Sequence, residues 1–182
     1  AVWEVLDKRG QDKPEESGYY KAVKACSGTN FFGMGRLGES TTSANGHSVP
    51  AGKSIDEIWL AGQDCSGADF RFERDPETGV KMVTLHLPYT KRTRNKGEDI
   101  YVPEQKTVDE KYCPVQAVVE HMEANRPGKE DPSFSYIDRN GRRKWLTSGA
   151  VVNTFNEVLQ ELGKERIWGH SFRIGGGNFY TV

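Results

Sequence analysis

Cysteine is scarce in this sequence. Cys26, Cys65 and Cys113 are too few and too scattered for a disulfide framework or a zinc site, so a reducing, intracellular compartment is expected. No Asn-x-Ser/Thr acceptor occurs. No apolar run approaches the ~18 residues that a spanning helix needs, so no membrane is expected as a partner. Ala1-Val2-Trp3-Glu4 lacks the basic start and apolar stretch of a secretory signal. Net charge is nearly absent as well: the formal value is −1, which taken globally argues against a nucleic-acid partner. What is present is 35% hydrophobic and 28% charged residues, a polar composition that still suffices for one domain with a real core.

The distribution of charge points the other way from its sum. Lys91, Arg92, Arg94 and Lys96 crowd one short segment, and Arg139, Arg142, Arg143 and Lys144 crowd another. Acidic residues gather elsewhere, at Glu15-Glu16 and over 104–110. A DNA-binding face needs local positive potential, because counterion release drives affinity. Charge alone does not separate such a face from ordinary solvated turns.

Periodicity predicts a short helix over 2–8, a polar loop over 10–18 and a helix over 19–37 with Tyr20, Val23, Phe31, Met34 and Leu37 on its apolar face. Gly28, Gly33 and Gly35 weaken that helix, each by about 1 kcal/mol. Residues 40–67 read as loop, with a short ordered piece over 55–60. Alternation then predicts strands over 68–73, 80–87 and 100–102, an antiparallel meander whose first turn is Asp75-Pro76-Glu77-Thr78-Gly79 and whose second is cationic. Pro114 opens a helix reaching 123, a hairpin follows over 134–146, and Thr147 or Ser148 caps a helix that Gly163 ends. The expected fold is mainly α with a small three-stranded antiparallel β-sheet, an α+β domain over 19–182 preceded by an N-terminal extension or linker over 1–18.

Two motifs mislead. Gly33-Met34-Gly35-Arg36-Leu37-Gly38 matches a dinucleotide fingerprint, but a helix-like segment precedes it and a polar loop follows, where a strand and a helix are required. Gly52-Lys53-Ser54 imitates a phosphate loop, but Gly46 stands one residue too far upstream. The histidines His47, His86, His121 and His170 show no paired metal spacing, so no metal or other cofactor is expected.

One constellation carries chemistry. A phosphodiester attacked without metal passes through a state with extra negative charge on its non-bridging oxygens, and two arginines can clamp these bidentately. A histidine can move the nucleophile's proton, and a lysine on a loop can protonate the leaving 5′-oxygen. Arg36 at a helix end, Lys91 at the meander tip, and His170 with Arg173 in Gly169-His170-Ser171-Phe172-Arg173-Ile174-Gly175-Gly176 supply all four groups. Singly, each has a plainer reading: Arg36 with Glu39 as a surface ion pair, Lys91 as a turn cation, His170 as a satisfied structural histidine.

In that order, helix-Arg36-x-x-Glu39, then a three-stranded sheet with turn lysine Lys91, then His170-x-x-Arg173, the sequence resembles the catalytic core of tyrosine recombinases and phage integrases. The strings Gly-His-Ser-Phe-Arg-Ile-Gly-Gly and Leu85-His86-Leu87-Pro88-Tyr89-Thr90-Lys91 look like the Crypton and DIRS-type branch of eukaryotic mobile elements. The resemblance runs from about Tyr19 onward. It implies site-specific DNA cleavage and rejoining through a 3′-phosphotyrosine, with duplex DNA as partner, a nuclear setting in a eukaryotic cell, and room for a homo-oligomer on DNA. It assigns Arg36, Lys91, His170 and Arg173 as catalytic, Glu39 as supporting, and Arg92, Arg94, Lys96, Arg139, Arg142, Arg143 and Lys144 as DNA contacts. The rival is a non-enzymatic DNA- or protein-binding module on the same scaffold.

The family places its nucleophilic tyrosine a few tens of residues beyond His-x-x-Arg, on further helices. Tyr180 stands too close to Arg173 to match, and the sequence given closes at Val182. A fragment, a domesticated remnant that only binds DNA, and a tyrosine donated in trans each account for this.

Overall fold

One central helix organises the rest of the chain. In the computed structural model, which describes residues 1–41, 65–90, 92–94, 96–106 and 109–181, helix α2 (Ser17–Phe32) is buried without a break over 22–30. A helix surrounded in this way needs small side chains for close neighbours, and Ala22, Ala25, Ser27 and Gly28 supply them. A Cβ on Gly28 would stand 2.9 Å from the Trp3 ring, which explains a glycine inside a helix. Trp3 belongs to α1 (Val2–Asp12), longer than the expected 2–8, and its Nε1 donates to Ser27 Oγ at 3.1 Å. Leu6 of α1 is fully buried in the main core; such a side chain contributes roughly 1.5–3 kcal/mol.

The helix expected over 19–37 ends at Phe32. Gly33 closes it, Met34 turns left-handed at φ 51°, and Arg36 is extended, capping the single turn α3 (Leu37–Ser40). Arg36 therefore sits on a connecting turn and not at the end of the long helix. The apolar periodicity of Met34 and Leu37 continues past the point where the glycines allow the chain to bend away.

The meander forms as expected. Strands β1 (Phe70–Arg74), β2 (Lys81–Leu87) and β3 (Glu98–Pro103) pair antiparallel in sequence order, with Leu85 opposite Phe70 and Ile100, and Val83 opposite Phe72 and Val102. Val83, Leu85, Leu87, Ile100 and Val102 are buried against the helices. The first turn closes on Asp75, whose Oδ1 accepts from the backbone of Thr78 at 2.6 Å and of Glu77 at 3.1 Å, with Gly79 at φ 69°.

Helix α4 (Pro114–Asn125) starts on its proline. The hairpin β4 (Tyr136–Ile137) and β5 (Arg143–Lys144) follows. Helix α5 (Ser148–Glu161) is capped by Thr147, whose Oγ1 accepts from Ala150 N at 3.1 Å, and α6 (Ser171–Thr181) ends the described chain. The result is an α+β domain with a three-stranded antiparallel sheet. No helix among the described residues is long and apolar enough to cross a membrane. The ordered piece expected over 55–60, Gly52-Lys53-Ser54, His47 and Lys91 lie outside the described residues.

Buried polar groups lock these elements. His121 is fully enclosed: its Nε2 donates to Ser133 O at 2.9 Å and its Nδ1 accepts from Asn125 Nδ2 at 3.0 Å. Burial pulls its pKa down to about 4, so it is neutral in the fold. Asn125 also donates to Gly18 O and accepts from Ile137 N, tying α4 to α2 and to the hairpin.

Candidate functional site

Three segments far apart in sequence meet in one cleft of about 230 Å³. The turn after α2 brings Arg36 and Glu39, the β2–β3 connection and β3 bring Arg92, Glu98 and Asp99, and the first turn of α6 brings Arg173, over a floor that includes Leu87 and Ile100. Arg36 and Arg173, both expected in the phosphate clamp, thus share a cleft.

The cleft is electrically mixed. Arg36 Nη1 lies 3.2 Å from Glu39 Oε1 and 3.4 Å from Oε2. Arg92 Nη2 lies 3.3 Å from Glu98 Oε1. The half-buried Arg173 guanidinium makes no hydrogen bond or ion pair among the described residues. An arriving anion would therefore meet Arg173 as the unneutralised cation, and would compete with carboxylates for the other two.

Asp99, one wall of the cleft, belongs to a network not anticipated from sequence. Its Oδ1 lies 2.6 Å from His86 Nδ1, and its other oxygen accepts from Arg71. Burial works to raise the Asp99 carboxyl, but the hydrogen bonds from His86 and Arg71 outweigh it and hold the group below its usual range. His86 and Asp99 are direct cross-strand partners, a relation visible only once the register of β2 on β3 is known.

The other predicted residues fall at varied places. His170 is exposed just before α6, where its carbonyl accepts from Ile174 N at 3.2 Å, and it is not one of the residues that line the cleft. In the cationic connection, Thr90 is buried and its Oγ1 accepts from Thr93 N at 3.0 Å, while Arg94, left-handed at φ 55°, donates to Tyr89 Oη at 2.9 Å. Lys96 is exposed. Arg139, Arg142 and Lys144 are exposed on the second hairpin. Arg143, expected among the DNA contacts, is spent inside the fold: it pairs with Asp131 at 3.1 Å and donates to Ser135 Oγ and to Asn125 O, each at 3.0 Å. Its clustering with three solvated cations concealed that role.

Tyr180 is turned to another neighbour. Its Oη accepts from Gln105 Nε2 at 3.3 Å, and burial pushes its phenol up. Other cavities share no lining residue with the arginine cleft. One of about 340 Å³ is walled by Trp3, Phe31, Phe32, Phe155, Phe172 and Phe179, and one of about 410 Å³ surrounds Lys24, which is salt-bridged to Asp7 and Glu120. The first is walled mainly by aromatic and aliphatic side chains, and the second holds a lysine already paired.

No protein-family model, no curated protein and no solved structure matches this chain.

Proposed function

We propose that this domain binds duplex DNA by its phosphate backbone, as the phosphate-clamping core of a metal-free strand-cleaving and rejoining enzyme of the tyrosine recombinase type. The supporting observation is the gathering of Arg36, Arg92 and Arg173 in one cleft, from a turn, a strand connection and a helix start. In this reading Arg36 and Arg173 hold the non-bridging oxygens of one phosphate, and Glu39 orients Arg36. Lys91, adjacent in sequence to Arg92, protonates the leaving 5′-oxygen, and His170 swings toward the cleft from its exposed site to take the nucleophile's proton. Arg92, Arg94, Lys96, Arg139, Arg142 and Lys144 follow the backbone to either side. The nucleophile is a tyrosine carried on helices beyond the described residues or donated by another copy, within a homo-oligomer on DNA.

A binding-only module is the second reading. The hydrogen bond of Tyr180 to Gln105, a residue that does not line the cleft, favours it. Both readings require the clamp. The test is fluorescence anisotropy of a labelled duplex of random sequence at low salt: Arg173→Ala should weaken binding by about 1.5–3 kcal/mol, the worth of a charged hydrogen-bonding contact, and Arg36→Ala comparably. Binding unchanged in both variants rejects the cleft as the phosphate site.

A further inference from the structure

Two pairs of glycines press on the last turn of α2 from different directions. Gly33 and Gly35 lie against β3 and the helix itself. A Cβ on Gly33 would stand 2.2 Å from Ile100 Cγ2 and 2.6 Å from Thr29 O, and one on Gly35 would stand 2.7 Å from Asn30 Oδ1 and 2.8 Å from Ile100 Cδ1. Asn30 has no freedom to withdraw, because it is fully buried and its Nδ2 donates to Cys26 O at 2.8 Å and to Ser40 Oγ at 2.7 Å. Gly175 and Gly176 press from α6. A Cβ on Gly175 would stand 2.7 Å from Phe31 Cε2, and one on Gly176 only 1.8 Å from Phe31 O.

None of these four glycines has a positive φ, so backbone conformation does not call for them. Space does. Each glycine weakens a helix, yet α6 carries Gly175, Gly176 and Gly177 in a row. The first two meet Phe31 and the third meets nothing within 4 Å. Between the pairs sits Met34, a non-glycine residue held left-handed at φ 51°, with its Cγ 3.4 Å from the Cβ position of Gly176. Such strain persists only where the surroundings over-determine it.

We infer that Gly33, Gly35, Gly175 and Gly176 are positioning residues for the proposed clamp. They set how closely the Arg36 turn and the Arg173 helix approach the end of α2, and so fix the separation of the two guanidinium groups. This rests on the reading that the cleft holds a backbone phosphate. Two arginines sharing one phosphate must be held to within about 0.5 Å, and contacts without side chains leave the least play. The Gly-x-Gly preceding Arg36 and the Gly-Gly following Arg173 thereby acquire one physical purpose on two separate segments.

The experiment compares folded variants for binding of a labelled random-sequence duplex, with a thermal melt of each. Gly175→Ala is the main variant, because the atom it meets is the edge of the Phe31 ring, a side chain that lines the apolar cavity of about 340 Å³. It should weaken binding about tenfold, with Phe31→Leu in the same chain restoring affinity to within about twofold of the wild type. Gly177→Ala should leave binding unchanged. A glycine needed only for folding would lower the melting temperature without this pattern of loss and rescue. Folded Gly175→Ala protein that binds as the wild type overturns the inference, as does loss without rescue. If Gly175→Ala does not fold, Gly35→Ala with Ile100→Val keeps the Asn30 contact; reduced affinity is expected and unchanged affinity overturns the inference. Arg173→Ala separates the two levels. If it too binds as the wild type, the phosphate reading has failed; if it alone loses affinity, only the glycine clasp has.

Discussion

Arg36, on the turn that follows α2, and Arg173, in the first turn of α6, wall the same cleft although most of the chain separates them in sequence. Both are brought there by the C-terminal end of one buried helix. Arg36 is already paired with the largely buried Glu39, and Arg173 has no partner among the described residues. The pair is thus asymmetric, one arm pre-oriented and one arm open.

DNA affinity should fall steeply with salt and depend little on sequence, since exposed lysines and arginines supply phosphate contacts and not a base code. Neutralising Lys91, Arg92, Arg94 and Lys96 together should flatten the plot of log K against log salt by about 0.9 per phosphate contact removed. An unchanged slope would mean that the segment is an ordinary solvated turn.

The chain by itself should form no covalent adduct with a nicked suicide substrate. A tyrosine must reach about 3–3.5 Å from phosphorus in line before electrostatic stabilisation acts, and Tyr180 is bonded to Gln105. Denaturing gels would reveal an adduct. One that forms on this chain and disappears in Tyr180→Phe would identify Tyr180 as the nucleophile and sink this expectation.

Arg143→Met should destabilise the fold by about 1–3 kcal/mol while leaving DNA affinity nearly intact. The substitution leaves Asp131 without its guanidinium and the carbonyl of Asn125 without its donor. Urea unfolding measures the first effect and anisotropy the second. The reverse outcome, stable protein with weakened binding, would return Arg143 to the DNA-contacting set.

His121 should make the fold acid-sensitive. Its pKa is about 4 when folded against an ordinary 6.5, so the unfolded chain takes up the proton first as pH falls. The stabilisation is complete above 6.5, declines through the interval and is gone below about 4, a loss on the order of 3 kcal/mol. Urea midpoints across that interval should fall in the wild type and stay flatter in His121→Gln, which keeps a donor but does not titrate. Parallel curves for the two proteins would contradict the assignment.

What the sequence determined by itself was local. Alternation in β1 to β3, the Asp75 turn, Pro114 at a helix start and Thr147 at a cap depend on neighbours within a few residues, so they read directly from the chain. The chemistry of a phosphodiester clamp and the resemblance group Arg36 with Arg173; spacing along the chain does not. The end of α2 was misplaced, because the apolar pattern continues through Met34 and Leu37 while the glycines release the chain to pack on β3. Tertiary structure alone decided the rest. It set the register that places His86 opposite Asp99, withdrew Arg143 from its cationic cluster into the fold, and left His170 exposed and out of the lining of the cleft that Arg173 enters. Each of these depends on the distance between groups remote in sequence, which is set by how closely helices and strands pack and has no signature in any short stretch of residues.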